Sequence, residues 1–259
     1  MALIGLALIA FLIPIQPPTG TPSHPTGGGL EVVDVAAEAG IDETTTSWGL
    51  ATSDFDDDGL PDLFLGRHLE AARLYRNVGG GRFLEVEPGT FPARDRHDCA
   101  WADVDLDDLV DLYCSIGAEH GTATKANELW MQQPDHSFVD RATELGVADP
   151  YGRGRRVTFI DANGDAYPDL FVGNLYPRQD DVPSPNRLFI NRGGRFREAP
   201  RFGLTEEVGA GCAQAADFDD DGWEDLLVCG LDSLHLYRNR DGEGFHDVSG
   251  SVGVSGKSR

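Results

Sequence analysis

A chain of 259 residues with a formal net charge of −23 repels nucleic acid and anionic lipid, so neither is an expected partner. Its 32 glycines and recurring turn residues suit an all-β chain with many tight connections. The length allows a sizeable core in one or two domains.

The first 15 residues, MALIGLALIAFLIPI, are apolar and uncharged. The run is too short for a comfortable membrane span, so no spanning segment is expected. It resembles the apolar core of a secretory signal, although it lacks a basic stretch before that core and a clean A-x-A site. Export to a secreted, cell-surface or periplasmic location is the expectation. Residues 16–29 are Gln16 followed by Pro, Gly, Ser and Thr with one His and read as a flexible linker. The folded part is expected over 30–259. It opens with LEVVDVAAEAGI at 30–41, where an extra strand is expected over 30–37. Related segments at 138–147 and 245–254 end a repeat rather than start one.

The chain then carries four acidic loops with the same internal spacing. In loop 1 Asp54, Asp56, Asp58 and Asp62 stand at positions 1, 3, 5 and 9, and in loop 2 the same positions are Asp103, Asp105, Asp107 and Asp111. Loop 3 has Asp161, Asn163, Asp165 and Asp169; loop 4 has Asp217, Asp219, Asp221 and Asp225. Alternating oxygens along a short loop suit a hard cation, and calcium accepts six to eight mixed carboxylate, amide and carbonyl oxygens. Position 7 would add a backbone carbonyl, from Leu60, Leu109, Tyr167 and Trp223. Up to four calcium ions are therefore expected.

Position 6 is Gly59 and Gly222 in loops 1 and 4, where a sharp turn favours glycine, but Asp108 and Ala166 in loops 2 and 3. On that ground loops 1 and 4 rank first. Loop 3 ranks last, since Asn163 also removes a carboxylate. Magnesium demands a stricter octahedron, and zinc is disfavoured because the loops offer no Cys or His. An EF-hand would need a Glu at position 12, where this chain has Leu65, Cys114, Val172 and Val228. The plainer alternative is that the aspartates only cap turns. Four aligned loops argue against it, because so many carboxylates packed without a cation would repel one another. The loops hold 19 acidic residues, and four calcium ions would bring −23 to −15.

The four cysteines flank two of the loops: Cys99 and Cys114 around loop 2, Cys212 and Cys229 around loop 4. If the flanking strands are antiparallel, each pair faces across the ladder. Disulfides Cys99–Cys114 and Cys212–Cys229 are expected, with four buried free thiols as the alternative. Disulfides would imply an oxidising compartment.

Each loop is entered by one strand (from Ser47, Asp98, Arg156 and Cys212) and left by an apolar second strand (LFLG, LYCSIG, LFVG, LLVCG). A third strand begins at Arg73, Glu128, Arg187 and His235, and a fourth at Phe83, Phe138, Phe196 and Phe245. Four short antiparallel strands in repeats of about 50–58 residues make β-propeller blades. They are expected at about 45–90, 97–145, 155–203 and 210–250. The DxDxDGxxDL-type loops, the L-[FY]-x-N third strands and the G-x-F turns resemble the FG-GAP/VCBS repeats of integrin-type propellers. The order of these pieces most resembles the cartilage acidic protein (ASPIC/UnbV-like) family. That resemblance implies calcium held within each blade by the loop residues named above, mainly for structure. Such propellers usually have seven blades, so four imply a partial or open propeller.

The leading functional expectation is a non-enzymatic, exported, calcium-stabilised module for binding or adhesion, taking a protein or glycan ligand at inter-strand loops. Inserts at 117–127 and 174–186 are candidates, because loops carry function on a rigid scaffold. The competing class is part of a propeller-based polysaccharide-acting enzyme, and a third is a purely structural module. No nucleophile motif is present, and the seven histidines are scattered without metal spacing. Arg153, Arg155 and Arg156 form a small basic cluster that would suit an acidic sugar or carboxylate, although a solvated loop or internal salt bridges are the preferred reading.

Overall fold

The computed structural model describes residues 32–41, 44–86, 90–117, 124–175, 184–204, 209–230 and 233–254. The apolar segment 1–15, the linker 16–29 and most of both inserts lie outside the described residues. Among the described residues sixteen strands run in four antiparallel meanders. Blade 1 is β1 (Ser47–Ser53), β2 (Asp62–Ala71), β3 (Arg73–Asn77) and β4 (Phe83–Val86). Blade 2 is β5 (Ala93–Ala102), β6 (Asp111–Ile116), β7 (Glu128–Gln132) and β8 (Phe138–Asp140). Blade 3 is β9 (Gly154–Ile160), β10 (Asp169–Asn174), β11 (Arg187–Asn191) and β12 (Phe196–Glu198). Blade 4 is β13 (Cys212–Ala216), β14 (Asp225–Cys229), β15 (Leu234–Asn239) and β16 (Phe245–Asp247). The chain is thus an all-β, propeller-type array of four-stranded blades, with the first strands β1, β5, β9 and β13 side by side. Blades 1 and 2 also join through a short pairing of β2 with β5.

The second strands are apolar because they face neighbouring blades on both sides. Every residue of β6 and of β10 is buried. The core is correspondingly divided into three clusters between blades. Phe64, Phe91, Leu112 and Trp130 fill the first, Tyr113, Leu129, Leu170 and Phe189 the second, and Phe171, Leu188, Leu226 and Tyr237 the third.

The first strands end before position 1 of each loop, at Ser53, Ala102, Ile160 and Ala216, because the position-1 side chain already folds the backbone back. The extra strand expected over 30–37 is not present at its described residues. Residues 32–35 carry no strand, and Ala36–Ala39 form a helical turn, α1. Val32 and Val33 are exposed. In the later copies the strand forms because a third strand of its own blade precedes it, as β7 does for β8. The helical part of the motif does repeat, as α2 (Ala142–Leu145), and ends on a left-handed glycine. A Cβ on Gly40 would stand 2.7 Å from the Phe83 carbonyl oxygen, and one on Gly146 2.7 Å from that of Phe196. Segment 36–40 therefore seats on blade 1 as 142–146 seats on blade 3.

Both expected disulfides are present, and each joins directly opposed residues of a first and second strand. Closing 15 and 17 residues, each contributes about 3 kcal/mol by restricting the unfolded chain.

Candidate metal centres

The four loops share one backbone. Position 4 takes positive φ in each (Asp57, Leu106, Gly164, Asp220), and so does position 6: Gly59 at 84°, Asp108 at 69°, Ala166 at 68° and Gly222 at 92°. The departure expected of loops 2 and 3 therefore does not arise in the backbone. Asp108 and Ala166 hold the left-handed conformation because the surrounding hydrogen bonds over-determine it.

Those bonds repeat residue for residue. The position-1 carboxylate accepts the N–H of position 5 through Oδ1 and of position 6 through Oδ2. The position-5 carboxylate accepts the N–H of position 7, which draws Leu60, Leu109, Tyr167 and Trp223 over the loop. Position 9 is the anchor. Asp62, Asp111, Asp169 and Asp225 are at most 2% exposed. Each accepts the position-2 N–H through Oδ2 and the last N–H of its third strand through Oδ1.

Burial pushes the Asp111 and Asp169 carboxyls up to about 7, against the pull of those two N–H donors. It raises Asp62 and Asp225 as well. The middle blades are flanked on both sides, so their position-9 carboxyls lie deeper. A cation would offset this cost by favouring the ionised form.

Carboxylate oxygens of Asp54, Asp56 and Asp58 lie within 4.8 Å of one another, as do those of Asp103, Asp105 and Asp111 and those of Asp217, Asp219 and Asp225. Loop 3 converges no such carboxylate triad among the described residues, with Asn163 at position 3. In loop 1, Asp56 Oδ1 is buried without a hydrogen-bond partner among the described residues. An orphaned anionic oxygen beside two further carboxylates, in an all-oxygen set, fits calcium and not zinc.

A feature of the third strands was not read from the sequence. Arg76 places Nε 2.5 Å from Asp56 Oδ2 and Nη2 3.3 Å from Asp58 Oδ2. Arg238 pairs in the same way with Asp219 and, at 3.1 Å, with Asp221. The shared Leu-Tyr-Arg-Asn of β3 and β15 was the available signal. Blades 2 and 3 have Met131 and Ile190 there, both buried in the core.

The next residue of the third strand ties the loops together. Gln132 Nε2 donates to the Phe55 carbonyl at 2.7 Å, Asn191 Nδ2 to Val104 at 2.7 Å and Asn239 Nδ2 to Ala162 at 3.0 Å. Each of those acceptors is position 2 of the preceding blade's loop, so an ordered loop braces the next blade.

Arg155 and Arg156 are used internally, through backbone carbonyls and one ion pair, between Arg156 and Asp98 at 3.9 Å. Arg156 Nε donates to the Gly211 carbonyl at 2.6 Å, and Arg155 Nη1 to that of Gly154 at 2.7 Å. Burial, then the neighbouring Arg153, lowers the Arg155 pKa to about 10. Among the described residues no helix is long and apolar enough to cross a membrane.

A family model described as FG-GAP-like repeat matches residues 37–114 and 175–228. Cartilage acidic protein 1 of Mus musculus is 29% identical over 167 residues, covering 62% of this chain and 24% of the relative. The Xenopus tropicalis protein of that name is 27% identical over 229 residues, covering 83% and 33%. The chain thus spans about a quarter to a third of the length of these relatives. Among solved structures, a chain of the BBS1N–ARL6DN complex soaked with mercury aligns with a TM-score of 0.48 and 11% identity, over 78% of this chain and 53% of that one. A lectin of Agrocybe aegerita that recognises non-reducing terminal N-acetylglucosamine aligns with a TM-score of 0.46 and 17% identity, over 76% and 50%.

Proposed function

The chain belongs to the FG-GAP-like repeat family, and on that premise we propose that it is an exported propeller module held rigid by calcium, which binds a protein or glycan ligand and catalyses no reaction itself. The observation that carries the calcium reading is the convergence of three carboxylates in each of loops 1, 2 and 4, on a backbone that all four loops share. Two disulfides support an oxidising, extracellular setting.

Asp54, Asp56 and Asp58 would hold the ion in loop 1, Asp103, Asp105 and Asp111 in loop 2, and Asp217, Asp219 and Asp225 in loop 4, with position-7 carbonyls completing the set. Loop 3, with Asn163, is the weakest of the four. The bound ion supplies charge compensation. The chain's own residues do the rest: position 9 ties the loop to its third strand, and the amide after it carries that order to the preceding blade. The propeller then presents its inter-strand loops as a fixed surface for a ligand.

Calcium calorimetry on the metal-stripped chain, with thermal melts in calcium and in EDTA, tests the reading. Two to four sites and a marked rise in melting temperature are expected. Absence of binding, or identical melts, would remove calcium from the account. A polysaccharide-degradation screen addresses the catalytic alternative, and turnover there would overturn the non-enzymatic assignment.

A further inference from the structure

A second cluster lies at the opposite end of the inner strands. Six residues before the first aspartate of each loop stand Trp48, His97, Arg155 and Gly211. In blades 1, 2 and 3 this position is a register slip, between Ser47 and Gly49, between Arg96 and Asp98, and between the partners Gly154 and Arg156. Bulges re-aim side chains, and three equivalent bulges on neighbouring inner strands re-aim theirs toward one place. The Trp48 and His97 rings come within 5.8 Å. Arg155 acts by charge on both His97 and Asp95. A further slip, beside Leu69 at φ 60°, sets His68 opposite Asp95 where β2 pairs with β5.

Two of the seven histidines that read as scattered in the sequence, His68 and His97, thus meet. Asp95, 3% exposed, lies between them, with Oδ1 2.7 Å from His68 Nδ1 and 3.0 Å from His97 Nε2. One ligand atom from each of the three residues lies within 4.8 Å of the others. The back of the cluster is closed by Gly117, where a Cβ would fall 2.3 Å from the His97 ring and 2.6 Å from Asp95 Oδ2. Arg96, between the two β5 residues, is locked in a buried bidentate pair with Glu128 at 2.7 and 3.0 Å, which fixes the strand that carries them.

We propose that His68, Asp95 and His97 form a mononuclear site for a divalent transition metal, with zinc as the expected ion. Two imidazoles and one carboxylate are a nitrogen-rich set that calcium disfavours and zinc accepts. Around a tetrahedral zinc with bonds of about 2.1 Å, neighbouring ligand atoms stand about 3.4 Å apart, so the contacts of Asp95 with His68 and His97, at 2.7 and 3.0 Å, need to open by about 0.7 and 0.4 Å. Three protein ligands leave a fourth position for water or a small anion, and the Arg155 charge favours the anion. From Asp62, β2 reaches His68 after six residues, roughly 20 Å away, so this site is separate from the calcium loops.

The test uses the full chain with excess calcium present, so that the acidic loops are occupied. Zinc is titrated by calorimetry, and cobalt(II) by the visible absorption of a low-coordinate nitrogen and oxygen site. One site per chain is expected. His68→Ala and His97→Gln should each weaken it by about 100-fold or more, beyond what loss of an outer-shell partner costs. His235→Ala, which removes another histidine–carboxylate pair, should leave it unchanged. Unaltered melting in calcium shows that each variant is folded. Absence of zinc and cobalt binding, or binding that survives both substitutions, would overturn the site and leave an ordinary hydrogen-bonded His–Asp–His cluster.

Discussion

In blades 1 and 4 the third strand lays an arginine on its own acidic loop, whereas in blades 2 and 3 the same position points an apolar side chain into the core. The backbone does not distinguish the two pairs, since all four loops adopt the same turn. The difference is where the compensating charge comes from. Loops 1 and 4 carry part of it covalently, as Arg76 and Arg238. Loop 2 holds five aspartates with no third-strand arginine and the deeper position-9 carboxyl, so on the calcium reading it would depend most on a cation from solution. Glycine at position 6 favoured loops 1 and 4; on the proposed function, the arginines would make loop 2 the site most in need of calcium.

The largest expected effect tests whether position 9 lies outside this comparison. Asp111→Ala strands two buried N–H groups, those of Val104 and Gln132. Each orphaned donor costs about 1–3 kcal/mol, so unfolding in urea should show a loss of about 2–6 kcal/mol. The loss should appear in EDTA as well as in calcium, because the donors are orphaned in either case. Destabilisation seen in calcium alone would leave Asp111 its place in the ion site and remove its role as an anchor of the metal-free loop.

A second effect sharpens the contrast through pH. The Asp111 and Asp169 carboxyls stand at about 7 in the metal-free fold, against an ordinary value of 3.8. A carboxyl raised on folding stabilises the fold below its unfolded pKa, and that contribution is lost as pH climbs through the folded value. The metal-free chain should therefore lose stability between about pH 4 and pH 7. Calcium needs the ionised form, so its affinity should move the other way. Loop 2 should bind about tenfold more weakly at pH 6 than at its plateau. Titrations of the wild-type chain and of Asp105→Asn at pH 6 and pH 8 isolate loop 2 by difference, and equal affinities at the two pH values would remove Asp111 from the coupling.

What could be read from the sequence was what repeats locally. The loop spacing, the apolar second strands and the cysteines four or five residues before a loop are short-range patterns, and each took its expected place. What could not be read depends on partners that sequence spacing hides. Val32 and Val33 look like a strand, but among the described residues no third strand pairs with them. Gln132 reaches Phe55 across 77 residues, and its bond appears only when blades are stacked. His68 and His97 meet because separate register slips turn inner strands toward a common place, and the alternation of residues does not announce a slip. Arg76 was visible in Leu-Tyr-Arg-Asn, but its role needed the distance to Asp56.

The smallest effect addresses the arginines directly. If Arg76 and a divalent ion compete for Asp56 Oδ2 and Asp58 Oδ2, Arg76→Met should strengthen calcium binding at loop 1. The gain should be about fivefold or less, as suits an exposed ion pair. The same substitution removes the loop's internal cation, so melting in EDTA should fall slightly while melting in calcium holds. Arg238→Met should behave alike in blade 4. Both variants then resemble blade 2, and loops 1 and 4 should move toward the dependence on calcium expected of loop 2. Weaker calcium binding in either variant would mean that the guanidinium supports the ion-loaded loop instead of competing with it, and the division between the two pairs of blades would fall.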